Sequence, residues 1–440
     1  MEISEKFIYH IWDAQHLNSN LKTVSEKNLK ILFQGRWNTA SGPDFKDAII
    51  LLDNEVFRGD IEIHLKSYDW IAHKHHEDKN FNNVALHVVY QNKTNEKFTI
   101  DESGKLIEIL ELSKYLDRDI SKLIKKYGKS KFEVKDEFCG YFAALSSEVT
   151  EKLLLDNGIR RLERKIKRFS AELVMSDFDQ LIYMGIFEAL GYSKNKFQML
   201  QLARKISFPM IKKYRENGMT KEQLISLFIC SSNLIEHIPS TFPKAIIHKW
   251  IHLYSTQDFC SEKILIDWVL FRIRPVNHPV IRIIQIIDII WEAASNSLFN
   301  QVVRIFSFSE SKIEMKEFYR RLYDFFRSKN ELLPERYLMG KTRIDTILFN
   351  IILPLIILFA EENGYEKLKK SSYNIYTSYH ALPHNYIINH MQKFMQPSQK
   401  KVFKNKAALQ QGVLNIYFEY CKDHNCKLCH EHRKNQLELM

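Results

Sequence analysis

A chain of 440 residues is longer than one hydrophobic core usually supports, and 45% hydrophobic residues with 12% aromatics suffice for more than one core, which excludes a chain dominated by disorder. Lys and Arg total 64 against 53 Asp and Glu, a formal net charge of +11 that favours polyanionic partners such as nucleic acid or an anionic membrane surface; a lysine-rich solubilising surface carries the same excess. Six cysteines are too sparse for a secreted disulfide scaffold, and residues 1–6 do not read as a signal peptide, so a reducing cytoplasm is the expected compartment.

In chain order, residues 1–120 have the texture of a mixed α/β unit. An apolar-periodic helix runs through Phe7, Ile8, Ile11 and Trp12, with Glu5 as a candidate orienting carboxylate. Strand-like runs follow at 47–52, 56–66 and 84–90, each bounded by turn residues. Within this unit, Asp44 sits at a tight turn after Gly42-Pro43, and Glu62 follows eighteen positions later on the segment Gly59-Asp60-Ile61-Glu62-Ile63-His64-Leu65-Lys66. Residues two apart share a face of a strand, so Glu62, His64 and Lys66 project together while Ile61, Ile63 and Leu65 project to the other side.

A turn aspartate followed by a strand bearing a carboxylate and a base resembles the way PD-(D/E)xK, or restriction-endonuclease-like, nucleases assemble their site. That resemblance implies that Asp44 and Glu62 ligate Mg²⁺ or Mn²⁺, hard ions that prefer oxygen, with His64 or Lys66 beside the attacking water. His64 occupies the position a lysine takes in the usual Glu-x-Lys arrangement. Asn38, His73, His75, Asp78 and His87 make up the supporting residues, and Trp70 lies in the same span. His87 interrupts an apolar strand, where a lone histidine is commonly a hydrogen-bonded core residue.

Five lysines between 122 and 131 mark residues 121–138 as a basic linker, and from 139 to 440 the periodicity becomes helical. Ile159, Leu162, Ile166, Phe169 and Leu173 recur at helical spacing, with Arg161, Arg164, Lys165 and Arg168 on the remaining faces, a phosphate track or a solvated surface helix. Arg272, Arg274 and Arg282 flank or lie within a Pro-rich turn through Asn277, placed either for phosphate contacts or for tying the loop to helix ends. The uncharged run 346–360 is about five residues short of a bilayer span and reads as a buried helix, so no membrane partner is expected.

Near the C-terminus Cys421, Cys426 and Cys429 have the spacing Cys-x4-Cys-x2-Cys, with His424, His430 and His432 alongside. Thiolates so gathered suit Zn²⁺ or an iron–sulfur cluster, with Cys139 or a neighbouring histidine as the fourth ligand. Cys230 and Cys260 lie in apolar surroundings and read as structural.

The motifs Asn38-Thr39-Ala40-Ser41-Gly42-Pro43-Asp44-Phe45, Gly59-Asp60-Ile61-Glu62-Ile63-His64 and Leu86-His87-Val88-Val89-Tyr90, together with Arg161 to Lys165, the Arg272–Arg282 element, Gly340-Lys341 with Asn350 and Pro354, and Gln411-Gly412 with the terminal cysteines, resemble an uncharacterised bacterial family, domain of unknown function 2851. The closing His430-Glu431-His432 departs from that pattern. The expected architecture is α+β, a restriction-endonuclease-like α/β domain over 1–120 followed by a large helical region ending in a metal-binding segment. The expected function is a divalent-metal-dependent nuclease acting on DNA or RNA. Two alternatives stand beside it: a non-catalytic nucleic-acid-binding protein on a degenerate nuclease fold, and a zinc hydrolase ligated by His73, His75 and His87.

Overall fold

A computed structural model describes residues 3–38, 41–93, 96–127, 139, 142, 145–256, 264, 266–306, 312–327, 331–383, 385–403, 406–422, 426 and 429. The larger part of the basic linker, the histidines at 424, 430 and 432, and the cysteine at 260 lie outside the described residues. The chain divides into two compact units, Met1–Ala144 with Asn415–Met440, and Leu145–Leu414. The architecture is α+β: a mixed sheet in the first unit, helices in the second.

The first unit opens with helix α1 (Glu5–Asp13). The Ser4 hydroxyl accepts from the Phe7 N–H, Glu5 sits in the first turn where a carboxylate favours the helix dipole, and Phe7, Ile8, Ile11 and Trp12 form the buried stripe. Strands β1 (Leu21–Lys22), β2 (Asn28–Phe33), β3 (Arg36–Trp37), β4 (Phe45–Leu52), β5 (Glu55–Lys66), β6 (Val84–Gln91), β7 (Phe98–Ile100) and β8 (Leu106–Glu111) follow. They form one sheet in the order β1-β2-β4-β5-β6-β8-β7, with β3 paired to β4.

Strands β4 and β5 are an antiparallel hairpin, joined through Asp53 at a φ of 51°. Strand β5 then pairs parallel with β6, and β6 with β8. A parallel pair needs a crossover, and here it passes through the short helix α2 (Asp69–Ala72) and two 3-10 turns, His75–Glu77 and Lys79–Phe81. That crossover carries Trp70, His73, His75 and Asp78 over one face of the sheet, burying Trp70 and Phe81 against Val84 and Ile107. The other face is a larger core in which Ile61, Ile63, Leu86 and Val88 pack with Phe7, Ile8, Ile11 and Trp12.

A bulge shifts the β4–β5 register between Phe45 and Ala48. Asp47 takes a φ of 66° there, and its N–H donates to Asp60 Oδ1 at 2.9 Å. Arg36 and Arg58 approach the Asp47 carboxylate at 3.4 and 3.6 Å.

The second unit begins with helix α4, residues Ser147–Leu173, following α3 (Ile120–Tyr127) of the first unit. Gly158 of α4 has no room for a side chain, since an added Cβ would meet the Ala408 carbonyl oxygen at 2.3 Å, and Gly412 would likewise meet that of Leu154. The helices Phe178–Leu190, Pro279–Ala293 and Leu353–Glu362 contribute a large share of the apolar interior. The segment 335–362, helical from Lys341 onward, is long and apolar enough to cross a membrane by length and composition, and 78% of its most apolar window is buried inside this unit. A π-helical turn, Leu348–Ile352, interrupts it just ahead of Pro354.

The sequence division grouped the cysteine-bearing tail with the helices, whereas the fold returns residues 415–440 to the sheet unit, which also contains Cys139. Contacts between distant parts of the chain decide this, and local periodicity does not report them.

Gly59 sits where β5 and β6 run closest: an added Cβ would meet the Asn83 carbonyl oxygen and the Ala85 Cβ, each at 2.6 Å. Replacing it by alanine overpacks that pairing and is expected to destabilise the sheet unit by about 1–3 kcal/mol, read as a lower denaturant midpoint; an unchanged midpoint would refute the close approach.

Candidate functional site

Asp44 is presented by a turn that a single side chain holds. The Asn38 amide donates from Nδ2 to the carbonyls of Ser41 at 3.1 Å and Pro43 at 3.0 Å, and Gly42 at a φ of 89° permits the reversal. The Asn38 N–H also donates to the Asp44 carbonyl, at 2.7 Å. On the facing strand the bonds are reciprocal: Asp44 N–H donates to Glu62 Oε2 at 3.1 Å, and Ile63 N–H donates to Asp44 Oδ2 at 3.0 Å. Two carboxylates eighteen positions apart are thereby clamped side by side.

Burial pushes the Asp44 carboxyl well above its ordinary range, and the Glu62 charge adds to the shift. Burial does the same to Glu62, with the Glu5 charge adding. Tyr9 hydrogen-bonds to Asp44 from α1, and burial followed by the Asp44 charge keeps its phenol protonated. Glu5, one helical turn before Tyr9, has its own carboxyl raised by burial.

The imidazoles gather on the same face as Glu62. His64 is buried, and both its ring nitrogens have partners: Nδ1 with His87 Nε2 at 2.9 Å, and Nε2 with His73 Nδ1 at 3.1 Å. His87 in turn meets Thr99 Oγ1 from its Nδ1 at 2.8 Å. Burial pulls His64 down to about 2 and His87 down to about 3, so both rings are neutral at physiological pH. His75 Nε2 lies 3.2 Å from Glu62 Oε1, and its ring stacks on Phe81 at 3.8 Å between centroids.

Two donor sets result. Asp44 and Glu62 are oxygen donors suited to a hard divalent ion, and His64, His73 and His75 bring one ring nitrogen each within 4.8 Å of one another. Lys66, in contrast, closes β5 as an exposed residue whose backbone N–H donates to Asp69 at 2.9 Å. The cationic charge acting on Glu62 comes from His73 and, after it, from Lys46, whose Nζ lies 3.3 Å from Asp60 Oδ2. Asp78 caps the turn Lys79–Phe81, accepting from the Asn80 N–H at 2.9 Å, and its charge reaches His75. His87 stands behind His64 rather than among the converging nitrogens.

A match to the family described as "Protein of unknown function (DUF2851)" spans residues 5–384. The chain belongs to this family. No curated protein and no solved structure matches it. The DUF2851 match contains both donor sets and Cys139, and ends before Cys421, Cys426 and Cys429. Of those cysteines Cys139 and Cys421 are half-buried, Cys426 is exposed and Cys429 is buried.

The basic residues of the helical unit divide. Arg161 Nε donates to Gln411 Oε1 at 3.0 Å, and Lys165 Nζ donates to Asn350 Oδ1 at 2.7 Å, with burial pulling the Lys165 ammonium well below its ordinary range. Arg168 lies between Glu172 at 3.4 Å and Glu188 at 3.3 Å. Arg282 is 3% exposed and donates to Gln285, Asn277 and Tyr192. These four are internal ties, which corrects their assignment as a phosphate surface. Arg164, Arg272 and Arg274 are exposed.

Two residues of the site escape a linear reading. Tyr9 is spaced one helical turn from Glu5, a signal that α1 turns both toward the same neighbour. Thr99 offers none, being one threonine in a short strand. Thr99→Val strips His87 Nδ1 of its partner and is expected to cost about 1–3 kcal/mol, with a changed His87 tautomer visible in nitrogen NMR; unchanged stability and ring spectra would contradict the relay.

Proposed function

We propose that this chain is a divalent-metal-dependent phosphodiester hydrolase, a nuclease acting on DNA or RNA in the cytoplasm, with its chemistry on the Asp44–Glu62 pair of a restriction-endonuclease-like unit. The observation that carries the reading is the reciprocal clamp of the buried Glu62 and half-buried Asp44 carboxylates against an imidazole cluster. Burial holds both carboxyls above their usual range, with the Glu62 charge adding at Asp44 and the Glu5 charge adding at Glu62, and Glu5 is itself a third acid raised by burial. A divalent cation supplies the charge that lets such a pair ionise, and oxygen donors match Mg²⁺ or Mn²⁺. When bound, that ion supplies Lewis-acid polarisation of a phosphoryl oxygen and lowers the pKa of water.

The side chains divide the remaining work. Asp44 and Glu62 hold the ion, and Tyr9 orients the Asp44 carboxylate. Lys46 brings positive charge toward the phosphate. His64 has both nitrogens engaged, so it positions its neighbours, and His73, the exposed member of the cluster, exchanges the proton of the attacking water with solvent. Arg164, Arg272 and Arg274, with the net charge of +11, favour a nucleic-acid backbone. The cysteine segment is assigned a structural Zn²⁺ or iron–sulfur cluster on its spacing and on the presence of Cys139 in the same unit.

Labelled single- and double-stranded DNA and RNA, incubated with Mg²⁺ or Mn²⁺, test this reading. Cleavage is expected to stop on chelation and to fall on the order of 100-fold or more in Glu62→Gln, with an unchanged circular dichroism spectrum. Retained binding with no cleavage of any substrate would replace the hydrolase with a non-catalytic nucleic-acid-binding protein.

A further inference from the structure

We infer that the sheet unit holds a second metal ion, of the Zn²⁺ class, on His64 Nε2, His73 Nδ1 and His75 Nε2 with Glu62 Oε1 as the fourth ligand. A tetrahedral ion with bonds of about 2.0–2.2 Å to nitrogen and oxygen separates its ligand atoms by roughly 3.3–3.5 Å. Three of the six separations bracket that edge, 3.1 Å for His64 Nε2 to His73 Nδ1, 3.2 Å for His75 Nε2 to Glu62 Oε1, and 3.6 Å for His64 Nε2 to Glu62 Oε1, and the three histidines bring one ring nitrogen each within 4.8 Å of one another.

Hydrogen bonding alone leaves this set unsatisfied. His75 Nε2 is buried and makes no hydrogen bond, although an acceptor oxygen lies beside it. His64 Nε2 faces both an imidazole nitrogen and a carboxylate oxygen, and one N–H cannot serve both well. A cation satisfies all four atoms at once, and nitrogen-rich sets select Zn²⁺ and its neighbours over Mg²⁺.

The surroundings match what such a site needs. With Thr99 Oγ1 accepting from His87 Nδ1–H, and His87 Nε2 accepting from His64 Nδ1–H, the His64 Nε2 lone pair points into the set. Phe81 and Trp70 fix the His75 ring by stacking and by an edge contact at 5.4 Å. The exposed His73 gives an entry path. Glu62 is shared, its Oε2 bonded to the Asp44 amide and its Oε1 turned to the imidazoles. The inference deepens the reading of the same carboxylate pair by naming a second metal class, and it stands without hydrolysis.

The test is titration of the chelator-treated full chain with Co²⁺ as a spectroscopic stand-in for Zn²⁺, followed by displacement with Zn²⁺. Apart from any thiolate charge transfer that the cysteine segment contributes, visible bands of a four-coordinate nitrogen–oxygen site are expected. Those bands are expected to persist in Cys421→Ser and to weaken at least about 100-fold in affinity in His73→Ala, an exposed position whose loss spares the core. Absence of the bands in the wild-type chain, or bands unchanged in His73→Ala, overturns the site. Because the readout is spectral, cleavage without the bands would end this inference alone, and the bands without cleavage would end the hydrolase reading alone.

Discussion

Strand β5 has to bury both of its faces, and the rest of the sheet unit follows from how it does so. Ile61 and Ile63 enter the core with α1, while Glu62 and His64, alternating with them, are buried on the opposite side at 6% and 1% exposure. Each apolar side chain contributes about 1.5–3 kcal/mol on burial, which anchors the strand in a register that permits no slip of one residue. The parallel pairing then sets Glu62 opposite His87 and Ile63 opposite Val88. The polar face is thus imposed by the apolar one.

Buried polar groups are tolerated only when they are partnered. The carboxylates achieve this through backbone amides, and the histidines through one another, down a line from His73 to Thr99. What the partnering leaves over is acceptor capacity around Glu62, the property that metal binding uses. The helical unit spends its interior cations differently: Arg161 and Lys165 converge on Gln411, and Arg282 stitches the Pro-rich turn through Asn277.

Local chemistry made part of this legible in the sequence. The Gly42-Pro43-Asp44 turn and the alternation of Glu62 and His64 with isoleucines fixed which residues could share a face, because both depend on neighbours a few positions away. The same alternation overreached at Lys66, where the strand ends and the side chain leaves for solvent, while Lys46 sits at a bulge that no periodicity announces. His87 reads in the sequence as a core histidine or a ligand, and it is a buried histidine hydrogen-bonded to His64 and Thr99. Arg161 and Lys165 looked like a surface track because Gln411 is some 250 positions away in sequence.

The central claim is that the Asp44–Glu62 pair binds a divalent ion. Anomalous scattering from crystals of the full chain grown with Mn²⁺ reads this without recourse to a substrate. A peak within bonding distance, about 2.1–2.3 Å, of oxygens from both carboxylates is the result this account predicts. A well-ordered pair without such a peak, in crystals that hold Mn²⁺ elsewhere, would contradict it.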